Sequence, residues 1–125
     1  MESISIEGTP KTPTVNFDAA TGIVEIKGRS IPENSIEFYR PLVEWLEDYS
    51  KGPQKLTTVN IQLEYFNTSS SRLILDVLDI LKKFQDEGHK VKVNWHFDPD
   101  DPDVKDEVED FEIESGMDIE LIEMT

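Results

Sequence analysis

The sequence predicts a two-layer α/β sandwich: a mixed, mostly parallel sheet of about five strands, with helices mainly on one face. Three observations predict it. A β-hairpin pattern near the N-terminus is followed by helical and strand periodicities in strict alternation. The two middle strand segments alternate apolar and polar residues, as strands covered on one face do, whereas strands covered on both faces read as continuous apolar runs. The chain has 125 residues, the size of one ordinary domain, and we expect 1–125 to form a single one. Right-handed crossovers with helices on one side make such a sheet grow in one direction.

The elements follow in order. Residues 3–7 alternate around Ile4 and Ile6, and the prolines Pro10 and Pro13 stiffen the turn after them. Residues 14–17 and 23–27 flank a five-residue loop and read as the hairpin. In the first helix Asn34 reads as the N-cap, with Glu37 three positions on. Ile36, Tyr39, Leu42, Val43, Leu46 and Tyr49 recur at helical spacing, with Phe38 and Trp45 at the edge of that stripe. Pro41 inside the pattern either kinks the helix or marks its first turn. Over 56–66, Val59, Ile61, Leu63 and Tyr65 point one way and Asn60, Gln62 and Glu64 the other. Residues 69–87 read as a strongly apolar helix closed by Gly88. Leu73, Val77, Ile80, Leu81 and Phe84 form its core stripe, and Ile74 and Leu78 widen it. A second alternating strand covers 90–97, an acidic amphipathic helix 102–115, and a last strand 118–124.

Charge and composition exclude several functions. Lys and Arg number 12 and Asp and Glu 27, for a formal net charge of −15. Residues 98–125 hold 13 acids and one base, Lys105, so the field belongs mostly to the C-terminal segment. An acidic body repels phosphate backbones and anionic surfaces, which argues against nucleic-acid binding and membrane association. No apolar run reaches the ~20 residues of a membrane span, and residues 1–8 lack the pattern of a signal peptide. A cytoplasmic location follows as the default. With no cysteine, disulfides, thiolate metal sites and cysteine nucleophiles are excluded.

The most informative segment is 64–84. A strand ends at Phe66, Asn67 follows, and then four hydroxyls, Thr68, Ser69, Ser70 and Ser71, stand where a helix begins. A helix start exposes unpaired backbone N–H groups, and one Ser or Thr suffices to cap it. Four exceed that need. Such a place also suits a phosphate, which meets the positive end of the helix dipole and free N–H donors, with Arg72 one residue beyond. The residues by themselves leave both readings open, and capping is the simpler.

Other candidates carry less. In the acidic run 98–103, Asp98, Asp100 and Glu109 match positions 1, 3 and 12 of an EF-hand loop. Pro102 and Asp103, however, occupy positions 5 and 6, where the tight turn needs Gly. We read it as a strand-to-helix turn whose acids favour the helix dipole, and expect no dedicated metal site. His89 and His96 fall on opposite faces of one strand by parity. No catalytic constellation or glycine-rich phosphate loop stands out, so we expect neither enzymatic activity nor a cofactor.

Three stretches, FYRPLVEWLEDY from Phe38, LEYFNTSSSR from Leu63 and VNWHFD from Val93, resemble the SiaC family of bacterial regulatory phosphoproteins, formerly a domain of unknown function. The likeness spans nearly the whole chain, and EYFNTSSS is its most specific part. The family is similar to the STAS fold of anti-sigma factor antagonists. The resemblance implies that a threonine at the strand-to-helix junction, matched here by Thr68, is phosphorylated by a serine/threonine kinase of histidine-kinase-like fold. A PP2C-type phosphatase would reverse the modification. It implies further that the unphosphorylated protein activates a diguanylate cyclase, raising cyclic di-GMP and promoting biofilm or aggregation. On that footing Thr68 is the expected phosphosite, ahead of Ser69, Ser70 and Ser71. Phe66, Asn67, Ser69, Ser70, Arg72 and Leu75 are the expected partner surface. Two alternatives are an anti-sigma factor antagonist that engages an anti-sigma kinase, and a small ligand-binding domain or enzyme.

Overall fold

The computed structural model describes residues 2–124. Its elements are β1 (Ile4–Ile6), β2 (Thr14–Asp18), β3 (Ile23–Ser30), α1 (Ser35–Tyr49), β4 (Leu56–Phe66), α2 (Thr68–Asp86), β5 (Lys90–Phe97), α3 (Val104–Ser115) and β6 (Ile119–Glu123). The sheet order is β1-β2-β3-β4-β5-β6. The first two pairings are antiparallel and the other three parallel. The sheet therefore has six strands rather than about five: the short alternating segment around Ile4 and Ile6 pairs with β2 in a register that places Ile4 against Phe17. Each parallel neighbour is reached through one helix, so the sheet grows in one direction and its helices share a face.

Side-chain parity divides the sheet. Val15, Phe17, Val24, Ile26, Val59, Ile61, Val93, Trp95 and Ile119 are buried in the core against the helices. On the other face a polar row crosses all six strands in register: Ser5, Asn16, Glu25, Asn60, Asn94 and Glu120. The row is partly hydrogen-bonded to itself, with Ser5 to Asn16 at 3.1 Å and Asn94 to Asn60 at 3.1 Å. This is the one-sided burial that the alternation predicts.

One strand departs from simple alternation. β3 and β4 stay in register to Gly28 opposite Leu63, and then Arg29 pairs with Tyr65, leaving Glu64 as an extra residue. Gly28 sits at φ 118° at this bulge, a conformation that side chains rarely adopt. The bulge reverses parity along the rest of β4. Tyr65, expected in the core, is 54% exposed and lies under the Arg29 guanidinium at 5.9 Å. Phe66 takes the inward position instead, paired with the buried Ser30. Its ring lies 6.1 Å from Trp95 and 5.7 Å from Phe111.

The helices also refine the sequence pattern. α1 starts at Ser35 with Asn34 capping the amide of Glu37 at 3.0 Å, and it continues through an exposed Pro41. Ile36 is 63% exposed rather than part of the core stripe. Trp45 is buried, stacks on Tyr49 at 5.1 Å and donates its indole N–H to the carbonyl of Glu2. The buried stripe of α2 is Ile74, Val77, Leu78, Leu81 and Phe84, while Leu73 and Ile80 are half-buried at its border. α2 packs between α1 and α3, and this two-sided cover draws Ile74 and Leu78 into the core. α3 begins at Val104, two residues later than the sequence reading, because Pro102 belongs to the turn.

Candidate functional site

The hydroxyl run lies at the C-terminal end of β4, where only Asn67 separates the strand from α2. Asn67 is the cap. Its backbone N–H donates to the carbonyl of Ser30 at 3.0 Å, its side-chain Oδ1 accepts from the amide of Ser70 at 2.9 Å, and its carbonyl accepts from the amide of Ser71 at 2.9 Å. The expected Ser or Thr cap is thus replaced by the residue just before the run, and the helix starts at Thr68 rather than residue 69. The four hydroxyls are freed from capping and meet four different fates.

Ser70 is fully buried, at 0% exposure. Its Oγ donates to the carbonyl of Ser30 at 3.0 Å and accepts from Ser30 Oγ at 2.8 Å. Ser30 has one hydroxyl proton, so in its 2.6 Å bond with Tyr39 the phenol is the donor. Burial pushes the Tyr39 phenol above its ordinary value, against the lowering effect of hydrogen bonds to Ser30 and Ser70. Tyr39 stays a neutral donor at the head of a chain running Tyr39 to Ser30 to Ser70. That chain ties α1, β3 and α2 together beneath the helix start.

Ser69 is at the surface but engaged. Its Oγ donates to Asn67 Oδ1 at 3.1 Å, and Ser35 Oγ lies at 2.8 Å. Ser71 is half-buried. Thr68 is exposed, and among the described residues its hydroxyl has no hydrogen-bond partner. The first turn of α2 holds no acidic residue, whereas α1 has Glu37 and α3 has Asp106 and Glu107 there. The positive end of the α2 dipole is therefore open beside Thr68.

The structure places the other predicted residues unevenly. Arg72 is exposed one turn on and pairs with Asp76 at 3.6 Å. Leu75 is half-buried against the core, Phe66 turns inward, and Ser70 points away from any outer surface. Sequence reasoning gave Ser30 and Ser35 no role and read Tyr39 only as part of the α1 stripe. They lie 31 to 40 positions before the hydroxyls they touch or reach, and no local pattern marks them. In the acidic turn, Asp98 Oδ1 accepts from the amide of Asp100 and Asp101 Oδ1 from that of Asp103. His96 Nε2 lies 3.3 Å from Asn60 Oδ1 on the open sheet face, and His89 precedes β5. Among the described residues no three His, Asp or Glu side chains converge as a metal set, and no helix is long and apolar enough to cross a membrane.

Comparison with known proteins bears on the chain as a whole. The family model of SiaC family regulatory phosphoproteins matches residues 6–124. The chain belongs to the SiaC family. An uncharacterized protein of Pseudomonas aeruginosa is 32% identical over 111 residues, which cover 89% of this chain and 88% of that protein. SiaC of Pseudomonas aeruginosa superimposes with a TM-score of 0.89 at 29% identity, over 99% of this chain and 100% of that one. The SiaC chain in the crystal structure of the diguanylate cyclase SiaD with its activator SiaC, from the same organism, superimposes with a TM-score of 0.91 at 29% identity. That match covers 97% of this chain and 99% of the other.

Proposed function

We propose that this chain is a phosphorylation-switched signalling adaptor without catalysis of its own. Unphosphorylated at Thr68, it binds and activates a partner enzyme, a diguanylate cyclase, and so raises cyclic di-GMP. The observation that carries this reading is the SiaC–SiaD complex, in which a protein of the same family and fold is the activator of such an enzyme. The geometry supports Thr68 as the switch: it is exposed, its hydroxyl is unengaged among the described residues, and it stands at a helix start whose first turn carries no acid. A kinase of histidine-kinase-like fold and a PP2C-type phosphatase would set its state in the cytoplasm. The reading surface is the outer part of the junction, Asn67, Thr68, Ser69 and Arg72. Ser70, Phe66 and Leu75 support it from within.

Phosphorylation would add nearly two negative charges at this surface. Near the free amides and Arg72 the charge is favourable to the adaptor itself, so the modified state is stable. A partner that packs against Thr68 must instead desolvate a dianion, which costs it affinity.

The test uses the purified chain, host lysate and ATP, followed by phosphosite mapping and by cyclase assays with and without the adaptor. Phosphate is expected on Thr68 and absent from Thr68→Ala, with cyclase stimulation by the unmodified protein and loss of stimulation on phosphorylation. Equal stimulation by both states, or capture of an anti-sigma kinase in place of a cyclase, would refute the proposal.

A further inference from the structure

We propose that Ser35 is a specificity-determining residue for modification of the α2 start: by occupying the Ser69 hydroxyl, it confines phosphoryl transfer to Thr68. The inference rests on the phosphorylation switch proposed above and names what selects one hydroxyl among four adjacent ones.

Phosphoryl transfer makes two demands on the accepting hydroxyl. Its oxygen forms a bond to the γ-phosphorus of ATP, the bond from that phosphorus to the β,γ-bridging oxygen breaks, and ADP leaves. The hydroxyl proton passes to a base of the kinase. The hydroxyl must therefore have both a lone pair to offer and a proton to release.

Each residue of the run meets these demands differently. Ser70 Oγ has its proton on the Ser30 carbonyl and accepts the proton of Ser30 Oγ, with the residue wholly buried. Ser69 is at the surface, so burial does not protect it. Its proton lies on Asn67 Oδ1 at 3.1 Å. With that proton committed, the 2.8 Å bond to Ser35 is donated by Ser35 and occupies one of the two lone pairs of Ser69 Oγ. The two bonds together fix the direction of the other lone pair, and the hydroxyl cannot turn toward a phosphorus without breaking one of them. Ser35 is itself only 5% exposed, at the first position of α1, so the donor is held in place by the helix packing. Thr68, one residue earlier, carries no such engagement. Ser35 touches no reacting atom; it acts through Ser69.

The experiment labels the wild type, Ser35→Ala and Ser35→Thr with host lysate and ATP, and quantifies phosphate at each residue from 68 to 71. In the wild type the phosphate is expected on Thr68. In Ser35→Ala the ratio of Ser69 to Thr68 phosphate should rise about five-fold, the factor that one net hydrogen bond sets. Ser35→Thr keeps the donor and should hold the wild-type ratio. The Thr68→Ala/Ser35→Ala double variant should accept phosphate at Ser69 where Thr68→Ala alone accepts little. Thermal unfolding confirms that each variant is folded.

An unchanged ratio in Ser35→Ala, with Thr68 labelled normally, overturns the role of Ser35 and leaves the switch standing. A parallel rise at Ser69, Ser70 and Ser71 also overturns it, since that is the signature of a loosened helix start rather than of one released hydroxyl. A wild type unlabelled at all four positions, in lysate that labels other substrates, removes the switch and this inference together.

Discussion

Two neighbouring strand-to-helix junctions occupy the same end of the parallel sheet and are built in opposite ways. Between β4 and α2 there is one residue, Asn67, and its side chain caps the helix. Between β5 and α3 there are six, 98–103, and the residue at the cap position, Asp103, makes no side-chain cap hydrogen bond. The α2 start carries hydroxyls and no acid, while the α3 start carries Asp106 and Glu107, with Asp101 and Asp103 just before it. The α3 dipole is already answered by fixed carboxylates. Burial, Asp101 and Asp103 together push the Glu107 carboxyl above its ordinary value, so this end holds more negative charge than it readily accommodates. The α2 dipole is answered by the neutral Asn67 cap and by no acidic side chain in its first turn. A helix start that lacks acid is one where a reversible negative charge has a large effect.

The largest predicted effect distinguishes two positions in the first turn of α2, separated by a single residue. Ser70→Asp buries a carboxylate at a fully enclosed site and should destabilise the protein by about 3 kcal/mol or more. Thr68→Asp places the same group in solvent at the helix start and should be neutral or stabilising, by up to ~1 kcal/mol. Chemical denaturation of both variants checks this, and equal losses would mean that Ser70 is not enclosed as described. A middle-sized effect compares the two caps. Asn67→Ala should cost about 1 kcal/mol, the usual value of a hydrogen-bonding N-cap side chain. Asp103→Ala should cost clearly less, since no cap hydrogen bond is lost, and equal midpoints in urea would contradict the contrast.

The smallest effect concerns pH. The raised Glu107 carboxyl binds its proton more tightly when folded, so the folded state is favoured below the ordinary glutamate value. That advantage is lost as pH rises through the raised one. Glu107→Gln should therefore unfold at a slightly higher temperature than the wild type at pH 7, and the difference should vanish on acidification below the ordinary glutamate range. A gain that persists in acid would point to packing instead of charge.

Much of this molecule is legible in the chain because the signals are local. The hairpin, the Asn34 cap, the clean alternation of β5 and the crowded hydroxyls at the α2 start all follow from residues within a few positions of each other. Periodicity determines which face of β5 meets the helices, and it places Val93, Trp95 and Phe97 correctly. The SiaC-like stretch around Thr68 is likewise readable from the chain alone, and family membership follows from such stretches.

What only the tertiary structure decided lies where distant segments meet. The bulge at Glu64 reverses Tyr65 and Phe66, and it arises from the pairing of β4 with β3, whose Gly28 accommodates it. Which of four consecutive hydroxyls is buried, engaged or free depends on Ser30, Ser35 and Tyr39, brought over from β3 and α1. A serine in a run of serines has the same local chemistry as its neighbours. Its helical position rotates it by 100° from the last, and only the packed neighbours determine what that rotation makes it touch.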